Sequence, residues 1–126
     1  MPDVPKRILD VGNCDHDHSL IRRMLEAGFQ VAVDRAGTPD EAMEALRKND
    51  YSLVLVNRLL DWDRSAGLLL IRRIKGDAQT RHIPVMLVSN YEDAQAAAVE
   101  AGAIRGFGKA ELSDEATTTR LRDILA

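Results

Sequence analysis

Cysteine, aromatic side chains, long apolar runs and a basic surplus are all scarce in this 126-residue sequence. The single cysteine, Cys14, excludes an internal disulfide and fits a reducing, cytoplasmic setting. Aromatics make up 4% of the chain against 45% apolar residues overall, so the core must be built from Val, Leu, Ile, Ala and Met. The apolar runs are far shorter than a membrane span, and the N-terminal MPDVPKRIL lacks the apolar centre of an export leader. With 17 Lys and Arg against 20 Asp and Glu, the net charge of −3 argues against direct nucleic-acid binding. The length suits one compact domain over residues 1–126.

What is present alternates. Arg7-Ile8-Leu9-Asp10-Val11 reads as a strand ending at Gly12-Asn13, followed by a polar loop, CDHDHS. Leu20, Ile21, Met24 and Leu25 then mark one side of a helix, with Gly28 as its expected left-handed stop. FQVAV (29–33) reads as a second strand. Thr38-Pro39-Asp40-Glu41 is a strong helix start: a capping threonine, a first-turn proline and a glutamate able to close a capping box. Asn49 is the expected end of that helix. YSLVLVN (51–57) is an unbroken apolar strand, as expected for the centre of a parallel sheet.

A third helix covers Leu68 to Ile74, and IPVMLVSN (83–90) is a fourth strand. Ala94, Ala97, Ala98 and Ala101 mark a fourth helix that Gly102 ends. IRGFGK is a weak fifth strand, and Ser113-Asp114-Glu115 caps a last helix through Leu121, Ile124 and Leu125. Five repeats of strand then helix predict an α/β, three-layer, flavodoxin-like domain. Its five-stranded parallel sheet takes the order 2-1-3-4-5, flanked by five helices. Sites in such sheets form beyond the carboxyl ends of the strands, here Gly12-Asn13, Asn57, Ser89-Asn90 and Lys109.

On those landmarks the whole chain resembles the receiver domains of bacterial two-component response regulators. Asn57 ends strand three, Ser89 strand four and Lys109 strand five; GLLLIRRIK and EAGA are also typical. The resemblance implies a phosphoacceptor aspartate at 57, two acids for a divalent cation at 12 and 13, and phosphoryl contacts from Ser89 and Lys109. Phosphoryl transfer needs a charged oxygen nucleophile, a cation and hydrogen-bond donors. Here Asn57 carries no carboxylate, and Gly12 and Asn13 supply no charge to a hard cation. Gly106 stands where the resemblance calls for a switching aromatic, Ala110 where it calls for proline, and Phe107 is expected in the core.

The expectation is therefore a degenerate, phosphorylation-independent signalling module with no catalysis and no cofactor. Its partner would be a protein such as a histidine kinase or an output domain. A homodimer through the helix 4–strand 5–helix 5 face is the other contact the resemblance offers. Asn57 is expected to pair with Lys109 or Ser89, and Asp61 or Asp63 could swing in to balance Lys109. Replacing Gly12, Asn13 and Asn57 together by aspartate should restore more chemistry than Asn57→Asp alone.

Two rivals remain: a receiver phosphorylated on another acid such as Asp61 or Asp15, and a small flavodoxin-like protein holding a phosphate-bearing cofactor. CDHDHS has ligand-type residues, but neighbours in an extended loop point apart, so it reads as a polar loop with a helix cap rather than a metal site. Asp15, Asp17, Asp61 and Asp63 remain open as cation ligands. Trp62, between Asp61 and Asp63, is a candidate contact anchor or folds back on the third helix.

Overall fold

A computed structural model describes residues 5–126; of the leader reading, residues 1–4 lie outside the described residues. The strands are β1 (Lys6–Val11), β2 (Val31–Ala36), β3 (Leu53–Asn57), β4 (Val85–Val88) and β5 (Ile104–Phe107). The helices are α1 (Asp15–Gly28), α2 (Pro39–Lys48), α3 (Gly67–Gly76), α4 (Glu92–Glu100) and α5 (Glu115–Leu125), with a 3-10 turn at Lys109–Glu111. All strand pairs are parallel, in the order β2-β1-β3-β4-β5.

The period of two along β3 divides the core. Val54 and Val56 pack with α2, α3 and α4 on one face; Leu53 and Leu55 pack with α1 and α5 on the other. All four are fully buried, which explains the unbroken apolar run. Each such side chain contributes on the order of 1.5–3 kcal/mol of transfer free energy. Phe107 lies in the α1/α5 core as expected.

Local signals held where a specific bond forms. The Thr38–Glu41 capping box is complete, Asn49 caps the end of α2, and Gly102 takes a φ of +110° after α4. Others need correction. α1 begins at Asp15, so most of CDHDHS is its first turn rather than a loop. Gly28 ends α1 without a positive φ, and Phe29 closes the helix by donating its N–H to the Leu25 carbonyl. β2 runs to Ala36, not Val33, because pairing with β1 continues after the apolar pattern stops. Leu20 is 38% exposed while Ile21 and Leu25 are fully buried. On α4 the alanine face packs as expected, with Ala98 buried and Ala94 and Ala101 against the core, and Gln95 is buried beside Ala98.

Candidate functional site

The carboxyl ends of β1, β3, β4 and β5 converge, and Asn57 stands at their centre. Its amide nitrogen donates to the carbonyls of Gly12 (3.1 Å) and Leu59 (2.8 Å), and its Oδ1 accepts from the Arg58 N–H (3.0 Å). The expected pairing with Lys109 or Ser89 is not made. Residues 58–61 fold against the end of β1, with Asp61 N–H on the Gly12 carbonyl at 2.8 Å, so carbonyls lie closer to the amide than either side chain.

Gly12 has a φ of +79°, and a Cβ there would lie 2.9 Å from Leu60 Cα. Leu60 is fully buried against it, so the space of a first acidic side chain is filled by leucine. Gly67 is held equally closely: a Cβ there would be 2.9 Å from Val56 Cγ1 and on top of the Asn57 carbonyl. Only glycine lets the start of α3 approach the end of β3 so tightly.

The second expected acid position also turns away. Asn13 is buried, and its Nδ2 donates to Asp10 Oδ1 at 2.6 Å; its own Oδ1 has no partner among the described residues. Asp10 is fully buried and shares a second short contact, 2.6 Å, with His18 Nδ1. Burial pushes the Asp10 carboxyl up, against the opposing hydrogen bonds from His18 and Asn13. The sequence reading places Asp10 only in the first strand and His18 only in CDHDHS; a charged residue inside the apolar pattern of β1 was the available signal for their pairing.

Lys109 is balanced by Asp17, not by Asp61 or Asp63: Nζ lies 2.7 Å from Asp17 Oδ2. The hydrogen bond from Lys109 holds the Asp17 carboxyl below its ordinary range, helped by Cys14 Sγ at 3.4 Å. Asp15 pairs with Arg35, whose guanidinium also donates to the Asn13 carbonyl. The acids and His18 of CDHDHS thus point to separate partners. Among the described residues no group of three or more His, Cys, Asp or Glu converges for a metal ion.

Two clefts flank Asn57. One, of about 450 Å³, is lined by Asp15, Glu41, Asp61, Arg35 and Trp62. Trp62 is 79% exposed and stands beside Gly37, facing the start of α2 rather than folding back on α3. The other cleft, of about 210 Å³, is lined by Asn57, Arg58, Arg64, Ser89, Tyr91 and Lys109 among others, with no acid in its lining. Ser89 accepts the Tyr91 N–H at 3.1 Å, an ordinary strand-to-loop closure. A further cleft between α2 and the α3–β4 segment, about Tyr51 and His82, lies at the opposite end of the sheet from these residues.

No family model and no curated protein matches the sequence. Solved structures do match its fold. A candidate response regulator from Chloroflexus aurantiacus superposes with a TM-score of 0.81 at 23% identity, covering 97% of this chain and 98% of that one. A response regulator from Thermotoga maritima gives 0.77 at 24% identity, again over 97% and 98%. The chain has the receiver fold. A response regulator from Burkholderia pseudomallei, solved with a phosphorylated aspartic acid, a calcium ion and citrate, shares it with a TM-score of 0.68 at 20% identity. That match covers 96% of this chain and 66% of that one.

A divalent cation at this end of the receiver fold would need oxygen ligands with negative charge among them. The residues present do not fit it. Gly12 has no carboxylate and no room for one, Asn13 is turned inward, and the Asn57 amide nitrogen occupies the Gly12 and Leu59 carbonyls.

Proposed function

We propose that residues 1–126 form one receiver-like domain that works as a phosphorylation-independent module of two-component signalling, through protein contacts rather than chemistry. The observation that carries this reading is the Asn57 amide, whose polar atoms are all engaged by backbone groups. An amide lone pair is delocalised and cannot form an acyl phosphate, and the surrounding donors serve the fold instead. Ser89, Lys109, Gly12 and Asn13 make up the rest of the degenerate site.

The α4–β5 side supports a static contact surface. A side chain at Gly106 would collide with the Leu87 carbonyl. Buried Gln95 donates to the Leu87 and Ser89 carbonyls, at 2.9 and 3.0 Å, and accepts the Gly106 N–H at 3.0 Å. That staple joins α4, β4 and β5 where the resemblance calls for a moving aromatic. Tyr91, Val99 and Ile104 are exposed on this side, the kind of apolar surface a partner covers. A histidine kinase, an output domain or a second copy through α4, β5 and α5 are the partners this reading offers, and Trp62 is a further anchor.

Acetyl phosphate with magnesium, followed by intact mass, tests the reading; no mass is gained. A stable increment of one phosphoryl group would overturn it and point to another acid. Asp61 lines the cleft away from Lys109, and Asp63 is engaged by the Ser65 N–H and hydroxyl.

A further inference from the structure

We infer that the cleft beside Asn57 is a docking site for an acidic segment of a protein partner, received by Arg58 and Arg64. Among the described residues neither guanidinium is paired with a carboxylate, although most other cations near the strand ends are. Arg58 lies over the Tyr91 ring, 4.9 Å from its centroid, and Tyr91 is 58% exposed. Stacking fixes a guanidinium plane without consuming its hydrogen-bond donors. Arg64 holds a φ of +61°, rare for a residue with a side chain, and its N–H closes a turn onto the Leu60 carbonyl. Two forks for bidentate carboxylate binding therefore stand at one cleft with no acid in its lining.

The distribution of charge within the cleft selects the occupant. Its floor is neutral: the Asn57 amide is spent on backbone, Ser89 accepts from Tyr91 N–H, and Lys109 is balanced by Asp17. The free charge stands with the exposed Arg58 and Arg64. A small phosphate dianion entering the cleft would find little charge at the bottom. Carboxylates on a passing peptide would meet both guanidiniums, while Tyr91 gives the aliphatic stems an apolar contact. Tyrosine and arginine together are frequent energetic centres of interfaces.

The inference rests on the proposed loss of phosphorylation, but the two fail separately. A mass gain with acetyl phosphate strikes only the proposed loss of phosphorylation. For docking, the test is an amide-resolved NMR titration of the full chain with acetyl-Glu-Asp-Glu-Asp-Glu-Asp-amide, with the matching Gln-Asn peptide as control. The acidic peptide alone is expected to move the resonances of Arg58, Arg64 and Tyr91, with an affinity that falls as salt rises. Arg58→Gln combined with Arg64→Gly should weaken it by about tenfold or more. Glycine suits the left-handed position, so the variant keeps its fold, and an unchanged spectrum outside the cleft checks this. Shifts spread equally over exposed arginines elsewhere, such as Arg23 on α1, would overturn the proposal. So would inorganic phosphate binding as tightly as the peptide, with its shifts centred on Ser89 and Lys109, which would mean a small-oxyanion site.

Discussion

The two clefts on either side of Asn57 lie at the same end of the sheet yet carry opposite character. On the β1–β2 side stand Asp15, Glu41 and Asp61 around Arg35; on the β4–β5 side stand Arg58, Arg64 and Lys109 with no acid in the lining. Between them the amide of Asn57 ties the Gly12 carbonyl to the Leu59 carbonyl. Phosphoryl chemistry needs cation, nucleophile and donors around one point. Here the acid-lined cleft, with Arg35 paired to Asp15, faces one way and the cleft with Arg58 and Arg64 the other, with a neutral hydrogen-bonded partition between. On the proposed reading, charges that would cooperate on a phosphoryl group stand instead on separate surfaces.

The strongest way to break the partition is at Gly12. Gly12→Asp adds a side chain at a φ of +79° and drives its Cβ into Leu60. Strained backbone and overpacking each cost about 1–3 kcal/mol, so the loss should reach about 3 kcal/mol or more. The expectation that Gly12→Asp, Asn13→Asp and Asn57→Asp together restore more chemistry is corrected on the same ground. That variant should fold less well than Asn57→Asp alone. Chemical denaturation checks this, and a triple variant as stable as the parent would show that Leu60 yields easily.

His18 comes next. His18→Ala leaves Asp10 buried with only Asn13 as partner. Leaving a buried carboxyl short of one hydrogen-bond partner costs about 1–3 kcal/mol. Asp10→Asn should be far milder, because the unpartnered Asn13 Oδ1 can turn to accept the new amide. The pH dependence follows from the raised Asp10 carboxyl. Its contribution to stability is present in acid, below the unfolded value, and is lost as pH rises through the folded value. Asp10→Asn removes that loss, so it compares best with the parent at neutral pH and less well at pH 4. A difference of the opposite sign in paired melts would show that the His18 contact outweighs burial.

The buried period of two in β3, the capping box at Thr38 and the helix stop at Gly102 made the fold legible, because each is a local pattern with one cheap structural solution. The partition was not legible. That Asn57 lacks a carboxylate could be read; that its amide faces two carbonyls could not, since this depends on the packing of Leu60 against Gly12 across 48 positions of sequence. Lys109 was read as short of a counter-charge for the same kind of reason. Asp17 was placed in a loop, and only as part of the first turn of α1 does it come within reach.

Asn57→Asp attacks the partition directly. It replaces a donor by a carboxylate oxygen about 3 Å from two carbonyls, leaving an unsatisfied, repelled charge that costs about 1–3 kcal/mol. Millimolar magnesium should return part of that loss, because one carboxylate and two carbonyls begin to resemble a hard-cation site. Acetyl phosphate should still add no mass, with Lys109 held by Asp17. Thermal melts with and without magnesium read the first effect and intact mass the second; efficient labelling would mean that the partition is a single amide deep.

The smallest expected effect is at Lys109. Its ion pair with Asp17 is partly exposed on both sides, at 33% and 22% of side-chain area, and such pairs contribute about 1 kcal/mol or less. Lys109→Met should therefore lower stability only slightly at neutral pH. The sign follows from Asp17, whose carboxyl is held down first by Lys109. The stability it contributes is present above the unfolded value and is lost as pH falls through the lowered folded value. The difference between parent and variant should shrink toward zero in acid and stay indifferent to magnesium. An acidic metal site hidden at this end of the sheet would behave otherwise. Removing the lysine would leave several carboxylates repelling one another, the loss would be large, and magnesium would repair it.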